Sequence, residues 1–128
     1  MLYNPATQEL KRGAMQLLDE WQGWQDTLLW ADFAGEEPEQ EKRILIERFG
    51  FHPMAIQDAQ RERHPPKMEP FDDHVFILLK GLGKETPDFT FETIQIALFV
   101  GKRFLVTRHS DDSPSIDRLW QEVGRDQS

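Results

Sequence analysis

The side chains able to do chemistry in this 128-residue sequence are few, and their spacing limits each one. The histidines stand at 52, 64, 74 and 109, and none lies at helical ligand spacing from another. Asp72-Asp73-His74 offers two carboxylates and an imidazole at the entrance to an apolar run. That set could hold a metal and support a metal-dependent hydrolase, although polar turn residues ahead of a strand have the same composition. Ser110 to Ser113 is hydroxylated and acidic, but no base at a usable spacing accompanies it. Asp58 is a lone carboxylate in a short helical segment. It is an oxygen donor of the kind hard Mg2+ requires, and one or two carboxylates with retained water suffice for that ion. A plain surface aspartate reads the same, and spacing does not decide between them. There is no Gly-rich phosphate loop, no G-x-S-x-G and no His-Glu-x-x-His. With no Cys there is no thiolate nucleophile, disulfide or thiolate zinc site either. These observations argue against an enzyme.

The length suits a single domain, which we expect over 1–128, because compact domains mostly run to about 100–150 residues. Fifteen Lys and Arg against 23 Asp and Glu give a formal charge of −8. A nucleic-acid binder needs an excess of basic residues to displace counterions, so that class of partner is not expected. An acidic surface does enrich cations near it, divalent ones most of all. The longest apolar runs are Val75–Leu79 and Ile96–Val100, far short of the ~20 residues of a membrane-spanning helix. Met1 to Arg12 has no apolar stretch of the signal-peptide kind. The expectation is a soluble chain, or the soluble piece of something larger.

The elements that must position Asp58 follow from the pattern. Residues 1–13 read as a polar, flexible lead-in, and Ala14 to Trp30 suits a helix about as well as a strand and turn. Leu28 to Phe33 reads as a buried strand. Gly35 and Pro38 open a helix whose first turns carry Glu36, Glu37, Glu39 and Glu41. Ile44, Leu45 and Phe49 give it an apolar side, and Gly50 closes it. Its acidic run reads as a solvated face. His52-Pro53 starts the shorter helix bearing Asp58, one turn beyond Met54, which ends before Pro65-Pro66. Val75–Leu79 reads as a central strand covered on both faces, with Gly81 and Gly83 breaking the chain after it. Thr90–Val100 and Arg103–His109 form a hairpin around Gly101-Lys102, read as a type II′ turn pairing Leu98 with Leu105 and Phe99 with Phe104. Ser113-Pro114 opens a last helix with Ile116, Leu119, Trp120 and Val123 as its stripe. Together these predict an α/β (α+β) domain, a mixed, largely antiparallel sheet with helices on both faces. Leu29, Leu45, Phe49, Phe76, Leu78, Ile96, Leu98, Leu105 and Val106 are the expected core, and Trp21 and Trp24 a candidate packing surface for a further part.

Gly50-Phe51-His52-Pro53, Asp58, Pro66-Lys67-Met68-Glu69, Phe71 and Val75 to Leu79 fall in order on the pattern of the cytoplasmic domain of CorA-type magnesium transporters. Phe104-Leu105-Val106-Thr107 with His109, and Leu29-Trp30-Ala31-Asp32-Phe33 upstream, resemble other strands of that family, so the likeness covers about residues 28–123. Gln57 stands where the family has an acidic residue, and Pro65 where it has Arg. The 128 residues hold no counterpart of the family's long stalk helix, its two membrane helices or its Gly-Met-Asn loop, so a chain that does not itself conduct ions is expected. An expressed N-terminal domain, a truncated gene product and a soluble homologue all fit.

The resemblance implies a regulatory, ion-sensing domain of a divalent cation transporter on the cytoplasmic side of the inner membrane. Mg2+ is its cation, with Co2+ and Zn2+ as alternatives, the last in the related ZntB-type transporters that share the domain. It further implies a homopentamer of full-length chains, in which Mg2+ between neighbouring subunits holds the pore closed. The carboxylate matching Asp58 is one metal ligand, completed from the adjacent subunit's stalk helix, so the isolated domain should bind Mg2+ weakly. The alternative is a stand-alone interaction module of the same fold with no metal role.

Overall fold

The computed structural model describes residues 1–13, 15–23, 26–34, 37–61, 65–85, 87–88, 91–109 and 113–126. Their element order is β1 (Leu2–Asn4), β2 (Glu9–Lys11), α1 (Gln16–Gly23), β3 (Leu28–Ala34), α2 (Pro38–Phe49), α3 (Pro53–Gln60), β4 (Lys67–Pro70), β5 (His74–Glu85), β6 (Phe91–Gly101), β7 (Phe104–His109) and α4 (Pro114–Asp126). The strands make one seven-stranded sheet, β2-β1-β3-β7-β6-β5-β4. Strands β4 to β7 form an antiparallel meander, whereas β3 and β7 pair in parallel. A parallel pair cannot be closed by a tight turn, and the chain between β3 and β7 includes α2, α3 and β4 to β6. This is the mixed, largely antiparallel α+β sheet that the sequence predicts.

Strand alternation sends two apolar sets to opposite faces. On one face Phe33, Phe76, Leu78, Ala97, Phe99 and Val106 pack with Leu45 of α2, Phe51, and Ala55, Ile56 and Ala59 of α3. Leu17, Leu18 and Trp21 of α1 extend this layer over Leu2 and Leu29. On the other face Trp30, Ile94 and Ile96 meet Ile116 of α4, and the Trp30 and Trp120 rings lie 4.6 Å apart. Of the expected core, Leu29, Leu45, Phe76, Leu78, Ile96 and Val106 are buried, and Phe49, Leu98 and Leu105 are partly buried.

The helices start and stop for local reasons. The Glu37 carboxylate caps α2 by accepting from the N–H groups of Glu39 and Gln40 at 3.1 and 3.0 Å. Gly50, at φ 71°, ends that helix, with its N–H on the Ile46 carbonyl and the Phe51 N–H on the Leu45 carbonyl. His52 caps α3, its Nδ1 accepting from the Met54 N–H at 3.1 Å.

Several expectations are corrected here. Residues 1–13 are no loose lead-in. Leu2 and Tyr3 pair with Leu29 and Leu28, and Met1 is buried, its backbone exchanging two hydrogen bonds with Trp30. Two buried apolar side chains, Met1 and Leu2, outweigh the polar composition of the segment. The hairpin turn lies one residue later, at Lys102-Arg103, so Phe99 pairs with Val106 and Leu98 with Thr107. Gly101 ends β6 opposite His74, without the positive φ a type II′ turn needs. Its lack of a side chain makes room for the Phe104 ring, which an added Cβ would strike. Gly81 and Gly83 do not break the chain. Strand β5 runs through them and shifts register only between Leu82 and Glu85. Nor is β5 central: only β4 lies outside it. Its α4-facing side is half covered, leaving Leu79, Val100 and Met68 exposed, Met68 at 70%. Trp21 is buried against Phe49 and Phe104, with Nε1 on the Arg103 carbonyl, rather than offered as a packing surface. Trp24 lies outside the described residues.

Candidate functional site

Asp58 sits in the last turn of α3, beside the Ala55, Ile56 and Ala59 face that packs on the sheet. That position leaves its side chain 16% exposed, while Met54, one turn earlier, is open to solvent. The end of α3 is pinned from below. Gln95 of β6 reaches the carbonyls of Asp58, Ala59 and Arg61 at 3.2, 3.2 and 2.7 Å, and Arg108 Nη1 donates to the Ala59 carbonyl at 3.1 Å. The loose carbonyls of a helix C-terminus are thereby satisfied by two sheet side chains, which fixes where Asp58 points.

It points at Lys67. Lys67 opens β4 opposite Leu78, and alternation puts its side chain on the helix-covered face. Its Nζ donates to Asp58 Oδ2 at 2.5 Å and to Glu69 Oε2 at 3.2 Å, and lies 5.7 Å from the centre of the Phe76 ring. The bond to Asp58 raises the Lys67 pKa above the usual lysine value, Glu69 adds to the rise, and partial burial opposes it. Asp58 and Glu69 are hard oxygen donors on one ammonium, an arrangement suited to a cation. Among the described residues, however, no three His, Cys, Asp or Glu side chains come together as a metal-holding group. The described residues around Lys67 therefore offer a divalent ion one carboxylate or two, and a fuller shell needs further donors.

A second pair lies deeper on the same face. Glu41 of α2 is fully buried, and its Oε1 accepts from Arg108 Nε at 2.7 Å. This corrects the reading of the acidic run as a wholly solvated face. Glu41 precedes Leu45 by four residues, so it belongs to the buried stripe, a signal present in the sequence. On the α4 face Thr107 donates to Asp32 at 2.6 Å and accepts from Trp30 Nε1 at 3.0 Å, and His109 Nε2 lies 3.0 Å from Asp32 Oδ2. Sequence reading missed both networks, because their partners lie 67 to 77 residues apart.

The Asp72, Asp73 and His74 set does not converge on a pocket. Asp72 and Asp73 are exposed and His74 is buried among Phe51, Phe71 and Phe99, touching only Asp73 of the two, at 2.6 Å from Nδ1. His64 and Ser110 to Asp112 lie outside the described residues. Ser113 is a buried cap whose hydroxyl accepts from the Ile116 N–H.

Comparison with known proteins gives the class. Residues 25–128 match the CorA-like Mg2+ transporter protein family, and the chain belongs to it. YfjQ of Bacillus subtilis (strain 168), which carries the name of a metal ion transporter, is 36% identical over 94 residues, 73% of this chain and 28% of its own length. The chain thus spans less than a third of that relative. The fold is shared with the soluble domain of CorA from Methanocaldococcus jannaschii, at a TM-score of 0.68 and 20% identity over 91% of this chain and 43% of that one. It is also shared with the complete CorA magnesium transporter of that organism, at a TM-score of 0.63 and 24% identity over 80% of this chain and 31% of that one. Among the described residues no helix is long and apolar enough to cross a membrane.

Proposed function

We propose that this domain senses divalent cations for a CorA-type transporter, with Asp58 as its half of a site completed by a neighbouring copy. In this reading the domain is regulatory and works in a homopentamer on the cytoplasmic side of the membrane. Mg2+ is the ion, with Co2+ or Zn2+ as alternatives. The observation that carries it is the Asp58 carboxylate itself, held at the rim of α3 by the Gln95 anchor and already neutralising a cation. Facing carboxylates of two copies repel, a shared ion removes that repulsion, and losing the ion lets the copies separate.

The weakness of the single-chain donor set sets the expected result. Calorimetric titration of the 128-residue chain with Mg2+ should show weak binding that Asp58→Ala removes. Tight binding untouched by Asp58→Ala would refute the assignment. The Asp58–Lys67 bond also supports a second reading, an interaction module of the same fold in which the pair only staples α3 to β4. Under that reading Mg2+ changes neither the solution mass of the chain nor its stability.

A further inference from the structure

We infer that Lys67 is a tethered competitor for the cation at Asp58, a built-in ammonium that a divalent ion must displace before it can bind. The inference rests on the reading of Asp58 as a ligand and adds what regulates it. Lys67 Nζ contacts both nearby carboxylates at once, Asp58 at 2.5 Å and Glu69 at 3.2 Å, so the oxygens an ion would use already share a positive charge. With Lys67 seated, the three side chains carry a net charge of −1. With its ammonium lifted away, the two carboxylates lose a positive charge that contacts both of them.

The geometry lets the ammonium leave. Lys67 lies on the outermost strand of the sheet, its side chain is 29% exposed, and its head is held only by contacts at its tip. A lysine stem has four rotatable bonds and a strongly hydrated head, so swinging to water costs less than moving a planar, bidentate arginine would. Competition of this kind couples ion binding to assembly. For a single copy the intramolecular cation wins, because it is always present at high effective concentration. A carboxylate brought by a neighbouring copy adds a third negative charge, which a divalent ion offsets better than one ammonium does.

Mn2+, followed by electron paramagnetic resonance as a stand-in for Mg2+, tests this on the 128-residue chain at fixed pH and ionic strength. Lys67→Met keeps the aliphatic stem over Phe76 and removes the charge, and it should tighten Mn2+ binding about tenfold or more. Lys67→Arg keeps the charge on a head that is harder to displace, and should bind Mn2+ no more tightly than wild type. Lys67→Met in an Asp58→Asn background should give no gain. If Lys67→Met leaves the affinity unchanged or lowers it, while Asp58→Asn weakens binding, the competitor is overturned and Asp58 remains a ligand. If Asp58→Asn has no effect in either background, the reading of the site falls and the competitor with it. Lys67→Gln serves as the second variant should Lys67→Met misfold, and circular dichroism melts establish which of them to score.

Discussion

Two ion pairs tie the helical layer to the same face of the sheet, and their surroundings give them opposite characters. Glu41 and Arg108 have side chains 0% and 7% exposed, and their partners include the Gln60 amide and the Ala59 carbonyl. Asp58 and Lys67 lie nearer the rim, where water reaches both. Buried, a pair cannot be opened without stranding a charge in a medium that solvates it poorly. At the rim the same chemistry gives a contact that water, salt or another cation can replace. The inner pair is thus a lock between α2, α3 and β7, and the outer pair an exchangeable latch between α3 and β4.

Breaking the lock should have the largest effect. Arg108→Ala leaves Glu41 buried without its cation and should cost about 3–5 kcal/mol in urea unfolding, whereas replacing both residues with Leu and Met should restore most of that loss. A single variant within about 1 kcal/mol of wild type would mean that the two pairs do not differ as described. Next is the packing beneath the latch. Leu78 is buried beside Lys67 in the register, and Leu78→Ala should cost about 2–5 kcal/mol by thermal or chemical unfolding. Loosening the latch should matter much less. A double-mutant cycle of Asp58→Ala with Lys67→Ala should give a coupling of about 0.2–1 kcal/mol that shrinks in high salt. A larger, salt-insensitive coupling would make it a second lock.

A separate, pH-dependent effect concerns the Met1 amine, which donates to the Trp30 carbonyl. Burial, and after it the charge of Arg12, lower its pKa from 8.0 to about 6, with Asp32 opposing the shift. Between those two values the unfolded chain binds more protons than the folded one, so stability should climb as pH rises from about 6 to 8. Acetylating the amine should remove that part of the slope, measured as the difference in melting temperature between the two forms. Equal slopes would show that the amine is solvated.

What could be read from the sequence was the part governed by local rules. Pro53, Gly50 and the apolar spacing of α2 and α3 placed Asp58 on its short helix, and the alternation from Thr90 to His109 gave the right faces for the hairpin. The turn position failed because Gly101 serves the Phe104 ring rather than a left-handed backbone. Strands β1 and β2 were missed because three residues carry too little pattern, and their pairing depends on β3, some 25 residues away. Lys67 was quoted as part of a motif, yet its bond to Asp58 depends on how β4 docks beside α3, which no local signal encodes. Glu41 was readable from its phase with Leu45 and was lost to the assumption that acidic runs face water.

The two rims of the sheet carry one more consequence. Strand β2 has three residues, and β4 has four, with Lys67 at one end and Pro70, which lacks an N–H, at the other. Short margins with a charge and a proline are poor templates for docking another strand. Copies of this chain should therefore not polymerise by extending the sheet into a ribbon, even when crowded. Contacts between side chains, unlike an added strand, can be undone without unravelling the backbone.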